Sequence, residues 1–270
     1  MSDQSFVKRH SLALFFALAF TISWLGSFVL VGPKFLAGET IEMADIGLMA
    51  FAMLNGPFVA GLLMTYFVDG RAGLKALFAK MKKYKVAGRW YLVLLIFPAL
   101  LLLVSALLGV FVSSELAPTL GLLGIIGGPM AGILEETGWM GFVYPKMSKK
   151  TSALTSAIIL GVTHGFWHIV ADFLGNSLAF GGYWPLYFFG FCLHVVALRV
   201  LIVWVYENTQ SLLLAILLHA SSTGFFGILI STTMSPQNWV IFYNIYGVAL
   251  GLAASIVALK YGKTLKIKSP

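Results

Sequence analysis

The chain has 270 residues, of which 59% are hydrophobic and 10% are charged, and it carries a formal net charge of +8. Soluble domains carry charged residues at about a quarter of their positions, so the composition excludes an ordinary soluble protein and indicates a surface that faces lipid. The single cysteine, Cys192, excludes an internal disulfide, and we interpret it as a small buried hydrophobic residue.

The apolar runs predict an all-α fold, a polytopic membrane helix bundle of about eight transmembrane helices, because about 20 apolar residues are needed to cross the hydrocarbon layer. The predicted spans are, in chain order, 11–31, 45–68, 91–113, 117–140, 152–171, 184–205, 211–231 and 238–260. The polar stretches between them are too short to fold alone, so residues 1–270 are predicted to form a single integral membrane domain.

The positions of the basic residues predict that both chain termini lie in the cytoplasm. All but two of the 18 Lys and Arg residues precede the first span or follow the second, fourth and eighth spans. They are Lys8, Arg9, Arg71, Lys75, Lys80, Lys82, Lys83, Lys85, Arg89, Lys146, Lys149, Lys150, Lys260, Lys263, Lys266 and Lys268. The predicted outer loops instead carry Glu39, Glu42, Asp45, Glu115 and Asp172. Because loops rich in Lys and Arg stay in the cytoplasm, the basic charge reflects topology and contact with membrane lipids, and no nucleic-acid partner is predicted.

Two kinds of local pattern accompany the spans. Residues 71–85 form either a short helix that lies in the cytoplasmic interface, with apolar residues at helical spacing, or a plain basic loop. Residues 56–61 and 128–132 are rich in small side chains and are predicted sites of close contact between helices.

A few ionisable side chains fall inside the predicted spans, where each costs a few kcal/mol unless it has a partner. They are Glu135, Glu136, His164, His168, His194, Arg199 and His219. A rise of about 1.5 Å per residue places the carboxylates and most of the histidines at similar depth. These groups can therefore converge on one cavity, where they would do chemistry or form structural polar contacts.

Adjacent residues of a helix point about 100° apart, so one of Glu135 and Glu136 can act as a base while the other bonds a neighbouring helix. Their mutual repulsion favours proton transfer near neutral pH. His164 and His168 are four residues apart and share one helix face, which fits either a zinc pair or hydrogen bonds between helices.

The later spans supply further candidates. Thr223 follows His219 by four residues, on the same helix face, and its hydroxyl can donate a hydrogen bond. His194 has no motif around it. We interpret Arg199 as snorkelling to the cytoplasmic side.

Within about residues 130–225, three segments resemble the CAAX-protease and bacteriocin-processing family (CPBP, or Abi) of intramembrane proteases. They are 135–142 (EETGWMGF) with the nearby Pro145, 165–168 (GFWH), and 208–212 (NTQSL) continuing through His219 to Thr223. The family-like core is predicted to cover about 117–231.

The resemblance implies roles for these residues. Glu135 would be the general base that activates a water, His168 would hold that water or a metal, and His219 and Thr223 would stabilise the oxyanion. Glu136 would have a supporting role. A divalent metal such as zinc would be bound by Glu135, His168 and His219, with His164 as a further ligand.

The chain departs from the family pattern at three positions. Met140 stands where the family usually has Arg, His164 where an aromatic residue is usual, and Thr223 where Asn is usual. The lost Arg leaves the glutamate charge less compensated, and Arg199 of the sixth span is a candidate to replace it. Loss of one oxyanion donor lowers rates by about 10²–10³.

The resulting hypothesis is an intramembrane endopeptidase of metalloprotease type in the bacterial plasma membrane. It would cut a membrane-bound or lipidated, CAAX-type polypeptide near the cytoplasmic leaflet. The alternatives are a non-proteolytic member of the same fold, acting in bacteriocin immunity or as a membrane-protein partner, and a proton-coupled transporter.

Overall fold

The computed structural model describes residues 3–267, and the side chains from Phe6 onward. Lys268, predicted to lie in the cytoplasm, is outside the described residues. The helices are α1 (Asp3–Arg9), α2 (Ser11–Leu36), α3 (Met43–Met81), α4 (Arg89–Leu92), α5 (Ile96–Phe111), α6 (Leu123–Gly138), α7 (Tyr144–Met147), α8 (Ala153–Trp167), α9 (Ile169–Phe180), α10 (Trp184–Thr209), α11 (Leu212–Leu229) and α12 (Pro236–Tyr261). The predicted all-α, polytopic helix bundle is confirmed.

Among the described residues, six helical stretches are long and apolar enough to cross a membrane. They are Ser11–Leu36, Met43–Met81, Arg89–Phe111, Ile169–Thr209, Leu212–Leu229 and Pro236–Thr264. The predicted fourth and fifth spans correspond to α6 and α8, which are 16 and 15 residues long. Helix α6 continues through a π-helical turn, Trp139–Val143, into α7. The predicted fifth span is interrupted at His168, where α8 ends and α9 begins. The count of eight spans therefore stays a prediction.

Gly70 divides α3 into a long apolar part and a short basic part. Its backbone lies at φ 66° and ψ −162°, a region that only glycine adopts readily. The helix resumes at Arg71 and ends at Met81. For residues 71–85, the helix interpretation is therefore confirmed over 71–81, and its placement in the interface stays a prediction.

Basic residues gather at one end of the bundle, which we call the basic end. Lys8, Arg9, Lys146, Lys149 and Lys150 line one depression there. Gln210 lines two further depressions. The first also contains lysines of the 80–85 segment, and the second contains lysines of the 263–266 segment. The predicted grouping of these loops on one side of the bundle is thus confirmed.

The other end, which we call the opposite end, holds the predicted outer loops. There the Lys34 ammonium lies 2.8 Å from the Asp45 carboxylate. Glu115 accepts hydrogen bonds from the backbone N–H of Ser235 at 2.9 Å and from the amide of Asn238 at 2.7 Å. These bonds, the one from Ser235 first, hold the pKa of Glu115 below its usual value.

Candidate active site

A row of glycines on α6 brings its backbone against α11. Gly124, Gly128 and Gly132 are four residues apart and share one helix face. A Cβ on Gly128 would lie 2.6 Å from the Ala220 carbonyl oxygen, and one on Gly132 would lie 2.5 Å from that of Ile216. Side chains cannot approach that closely, so glycine is needed for this contact, which sets the glutamates of α6 beside α11.

A second glycine contact joins α6 to α3. A Cβ on Gly138 would lie 2.3 Å from the carbonyl oxygen of Pro57, and one on Gly61 would lie 2.9 Å from the Cα of Gly138. A Cβ on Gly56 would lie 2.4 Å from the carbonyl oxygen of Ala19 in α2. Both small-residue segments predicted from the sequence are therefore confirmed as sites of close helix packing.

Glu136 is fully buried, and both of its carboxylate oxygens have partners. Arg199 Nη1 donates to Oε2 over 2.6 Å, and His219 Nδ1 lies 2.5 Å from Oε1. Because Arg199 stabilises Glu136 as a carboxylate, the Nδ1 of His219 acts as the donor. The other ring nitrogen, Nε2, then faces Glu135, whose Oε1 lies 3.7 Å away.

The preferred interpretation of Arg199, that it snorkels to the cytoplasmic side, is wrong. Arg199 has no exposed surface, and its guanidinium pairs with Glu136. An unpaired carboxylate inside the bundle costs several kcal/mol, and pairing Arg199 with Glu136 avoids that cost. Arg199 on α10 therefore compensates the charge of Glu136, and Met140, which follows the glutamates on the chain, is itself fully buried.

His164 links this pair to Glu135. Its Nδ1 lies 3.0 Å from Nη2 of Arg199, and its Nε2 lies 2.5 Å from Oε2 of Glu135. A guanidinium can only donate, so Nδ1 accepts and the ring proton sits on Nε2, which donates to Glu135. Arg199 thereby determines the tautomer of His164 and, through it, the orientation of the Glu135 carboxylate.

The predicted site residues meet at one cavity of about 340 Å³. Glu135, His164, His168, His219 and Thr223 all line it, whereas Glu136 lies behind them. The lining is mostly apolar. It suits a site that binds an apolar chain and places a few polar groups on it.

His168 lies at the junction between α8 and α9. Trp24 of α2 donates its Nε1–H to the carbonyl oxygen of Trp167 over 2.9 Å, beside this junction. That bond satisfies a carbonyl at the end of α8. The imidazole ring of His168 packs against His164, Trp167 and Phe191, whose ring centroids lie 5.2, 4.7 and 4.9 Å away.

Two further residues line the cavity that the sequence did not assign to the site. His194, which had no motif, lines the cavity, and its Nε2 lies 3.0 Å from the Ser222 hydroxyl. Asp172, assigned to an outer loop, instead lies in α9 and also lines the cavity. Its spacing of four residues from His168 was the available signal, since i and i+4 share a helix face.

The donor atoms of Glu135, His164 and His168 lie within 4.8 Å of one another, a spacing suited to a divalent ion. This set has His164 in place of the predicted His219. The hydrogen bonds of His164 do not fit a metal, however. Its Nδ1 accepts from Arg199, so its Nε2 keeps the proton and has no lone pair to offer. His164 is therefore excluded as a ligand in this arrangement, and the predicted metal set of Glu135, His168 and His219 stays a prediction.

We expect Gly128→Ala to destabilise the protein by about 1–3 kcal/mol, because its Cβ would overlap α11. Gly127→Ala is the matched control, since a Cβ there meets nothing within 4 Å. Thermal unfolding in detergent measures both. Equal melting temperatures for the two variants would contradict the proposed close contact.

We expect Arg199→Met to destabilise the protein by about 3–5 kcal/mol, because it leaves Glu136 buried without a counter-charge. Adding Glu136→Gln to Arg199→Met should recover part of the loss. Lys266→Met is the control, since Lys266 is 58% exposed in its pair with Glu207, and such pairs contribute about 0–1 kcal/mol. A double-mutant cycle measured by thermal unfolding tests the coupling. If the effects of Arg199→Met and Glu136→Gln were additive, Arg199 and Glu136 would not be coupled.

Part of the chain is similar to known proteins. Residues 117–225 match the family described as type II CAAX prenyl endopeptidase Rce1-like. The chain is also similar to the CAAX prenyl protease 2 of Methanococcus maripaludis, with 27% identity over 110 residues, which are 40% of this chain and 39% of that relative. The chain thus matches about two-fifths of the relative's length. It is an integral, multi-pass membrane protein whose residues 117–225 are similar to the Rce1-like type II CAAX prenyl endopeptidases.

Proposed function

We propose that this protein is an intramembrane endopeptidase that hydrolyses a peptide bond of a membrane-bound or lipidated polypeptide. The observation that carries the proposal is the different environment of its two glutamates. Glu136 is held by Arg199 and His219 behind the cavity wall, whereas Glu135 lines the cavity. One carboxylate held in a structural ion pair, beside a second that borders a cavity, is an arrangement that suits acid–base chemistry.

Glu135 is the proposed general base. One of its oxygens accepts the Nε2–H of His164, and the other faces Nε2 of His219 at 3.7 Å. A water beside this second oxygen can hydrogen-bond both groups, and His168 borders the same space. Glu135 takes a proton from that water as the water oxygen forms a bond to the substrate carbonyl carbon.

The electron pair of the carbonyl bond then moves to its oxygen, which needs hydrogen-bond donors. His219 donates through Nδ1 to Glu136, so a second ring proton, on Nε2, makes it a donor to that oxygen as well. Protonated His219 and the hydroxyl of Thr223, one turn further along α11, are the proposed donors. Collapse of this intermediate breaks the carbon–nitrogen bond, and Glu135 returns its proton to the leaving amine.

The ion pair between Arg199 and Glu136 favours retained proteolytic activity over the non-proteolytic alternative. One of the three departures that raise doubt about proteolysis is the loss of the usual Arg at Met140, and Arg199 meets that charge requirement from α10. Thr223 keeps a donor, although a shorter one than Asn. A role in bacteriocin immunity or as a membrane-protein partner stays the competing hypothesis.

Replacing Glu135 with Gln should lower cleavage by about 10²–10⁴-fold, because the base is removed while the shape is kept. Lipidated and membrane-spanning peptides incubated with the purified protein, and analysed by mass spectrometry, measure this. Glu39→Gln is the control, since Glu39 is exposed at the opposite end. Equal cleavage by wild type and Glu135→Gln would contradict the proposal. No cleavage of any peptide, with a cellular phenotype that survives Glu135→Gln, would favour the non-proteolytic alternative.

A metal requirement stays a prediction, and the hydrogen bonds of His164 lead us to expect that the purified protein binds less than one equivalent of zinc. Elemental analysis measures this, and cleavage should survive a chelator. Stoichiometric zinc that is lost in a His168→Ala variant would overturn this expectation and restore the metal-binding role implied by the family resemblance.

A further inference from the structure

The cavity extends from the glutamates toward one end of the bundle. On α6, no residue after Glu135 lines the cavity. On α10, the last lining residue is Leu198, just before Arg199. On α11 the lining residues begin at His219, and on α8 they begin at His164. The remaining lining residues come from α9, from residues 46–54 near the start of α3, and from Tyr243 in the first half of α12, all on the side of the opposite end.

The half of the bundle between the glutamates and the basic end is filled with side chains. Trp139, Phe142 and Tyr144, which follow the glutamates, have at most 2% of their surface exposed. The facing parts of α10 and α11 are equally buried, at Leu201, Ile202, Val203, Val205, Leu212, Leu214, Ala215 and Leu218. Water and substrate therefore have no open route from the basic end to Glu135 through these residues.

The polar residues of the outer cavity confirm which end it approaches. Asp172 accepts the Nε1–H of Trp184 over 2.7 Å and lies 3.3 Å from the Tyr187 hydroxyl. Both Asp172 and Asn176 line the cavity. Trp184 and Tyr187 lie in the first turns of α10, next to Tyr183, whose hydroxyl accepts from Gln237 at the opposite end.

The basic end is expected to lie in the cytoplasm, because Lys- and Arg-rich loops are retained there. We propose that the catalytic cavity opens toward the extracytoplasmic side, so that the substrate is a polypeptide anchored in, or spanning, the outer leaflet. The substrate part of this inference rests on the proposed function. A lipidated protein on the cytoplasmic surface would meet the filled half of the bundle, so the expected cut near the cytoplasmic leaflet does not fit this cavity.

The lining indicates the kind of segment that would enter. Met49, Met53 and Met130 lie along it together with Leu54 and Phe191, and methionine side chains adapt to apolar chains of varied shape. Gly127 also lines it, and a Cβ there meets nothing within 4 Å. This apolar passage fits an extended hydrophobic segment or an acyl chain beside the scissile peptide.

Thiol labelling tests the direction of the opening without requiring activity. Cys192→Ala removes the one native thiol, and single cysteines are then introduced as Ala50→Cys in the cavity, Glu39→Cys at the opposite end and Lys149→Cys at the basic end. A charged, membrane-impermeant maleimide is added to intact cells and to inverted membrane vesicles. We expect labelling of Ala50→Cys and Glu39→Cys in cells, and labelling of Lys149→Cys in inverted vesicles only.

Two results would overturn the inference. Labelling of Ala50→Cys and Glu39→Cys in inverted vesicles alone would mean that the chain is inserted the other way round. Labelling of Glu39→Cys in cells, with Ala50→Cys unreactive there, would mean that the cavity does not open to that side. Neither result depends on whether the protein cleaves peptides.

The substrate side is tested with one lipid-anchored peptide that is cleaved in a Glu135-dependent way in detergent. The peptide is added to right-side-out vesicles and, separately, to inverted vesicles. Cleavage in right-side-out vesicles alone is expected, and cleavage in inverted vesicles alone would overturn the inference while leaving the protease function intact. If no peptide is cleaved in detergent, the proposed function and the substrate class fail together, and the labelling pattern still decides the direction of the opening.

Discussion

The buried ion pair between Glu136 and Arg199 is the interaction on which the rest of the site depends. Neither side chain has exposed surface, and moving such ions out of water costs several kcal/mol each. His219 and His164 stabilise the pair further, because His219 bonds Oε1 of Glu136 and His164 bonds Nη2 of Arg199. Through His164 the same arginine orients Glu135, and through Glu136 it is connected to His219, so one ion pair links α6, α8, α10 and α11 at the centre of the bundle.

Close helix packing makes that ion pair geometrically feasible. Lipid is as apolar as a helix surface, so helices in a membrane associate through van der Waals packing and polar contacts. The glycines of α6 let its backbone touch α11 on one face and α3 on another. Larger residues there would move the helices apart and separate Glu136 from His219, so the glycines are as necessary to the site as its polar groups.

The bundle is filled on one side of the glutamates and open on the other. The filled half holds the ion pair away from water, which strengthens its electrostatic interactions. The open half brings an apolar cavity to Glu135, His168 and Thr223. Replacement of the usual Arg by Met140 is compatible with this division, because the positive charge comes from α10 and a buried methionine completes the filled half.

Apolar runs and basic loops were enough to predict a helical membrane protein, because lipid requires long apolar helices and Lys and Arg accumulate on one side. The polar residues that interrupt those runs identified most of the candidate site, since such residues are costly inside a membrane without partners. The role of Arg199 was mistaken, because a single sequence does not reveal which helices touch. Only the packed helices decided that Arg199 pairs with Glu136, that α8 ends at His168 and that Asp172 lines the cavity. The direction of that cavity also depends on tertiary structure, because it follows from which half of the bundle the side chains fill.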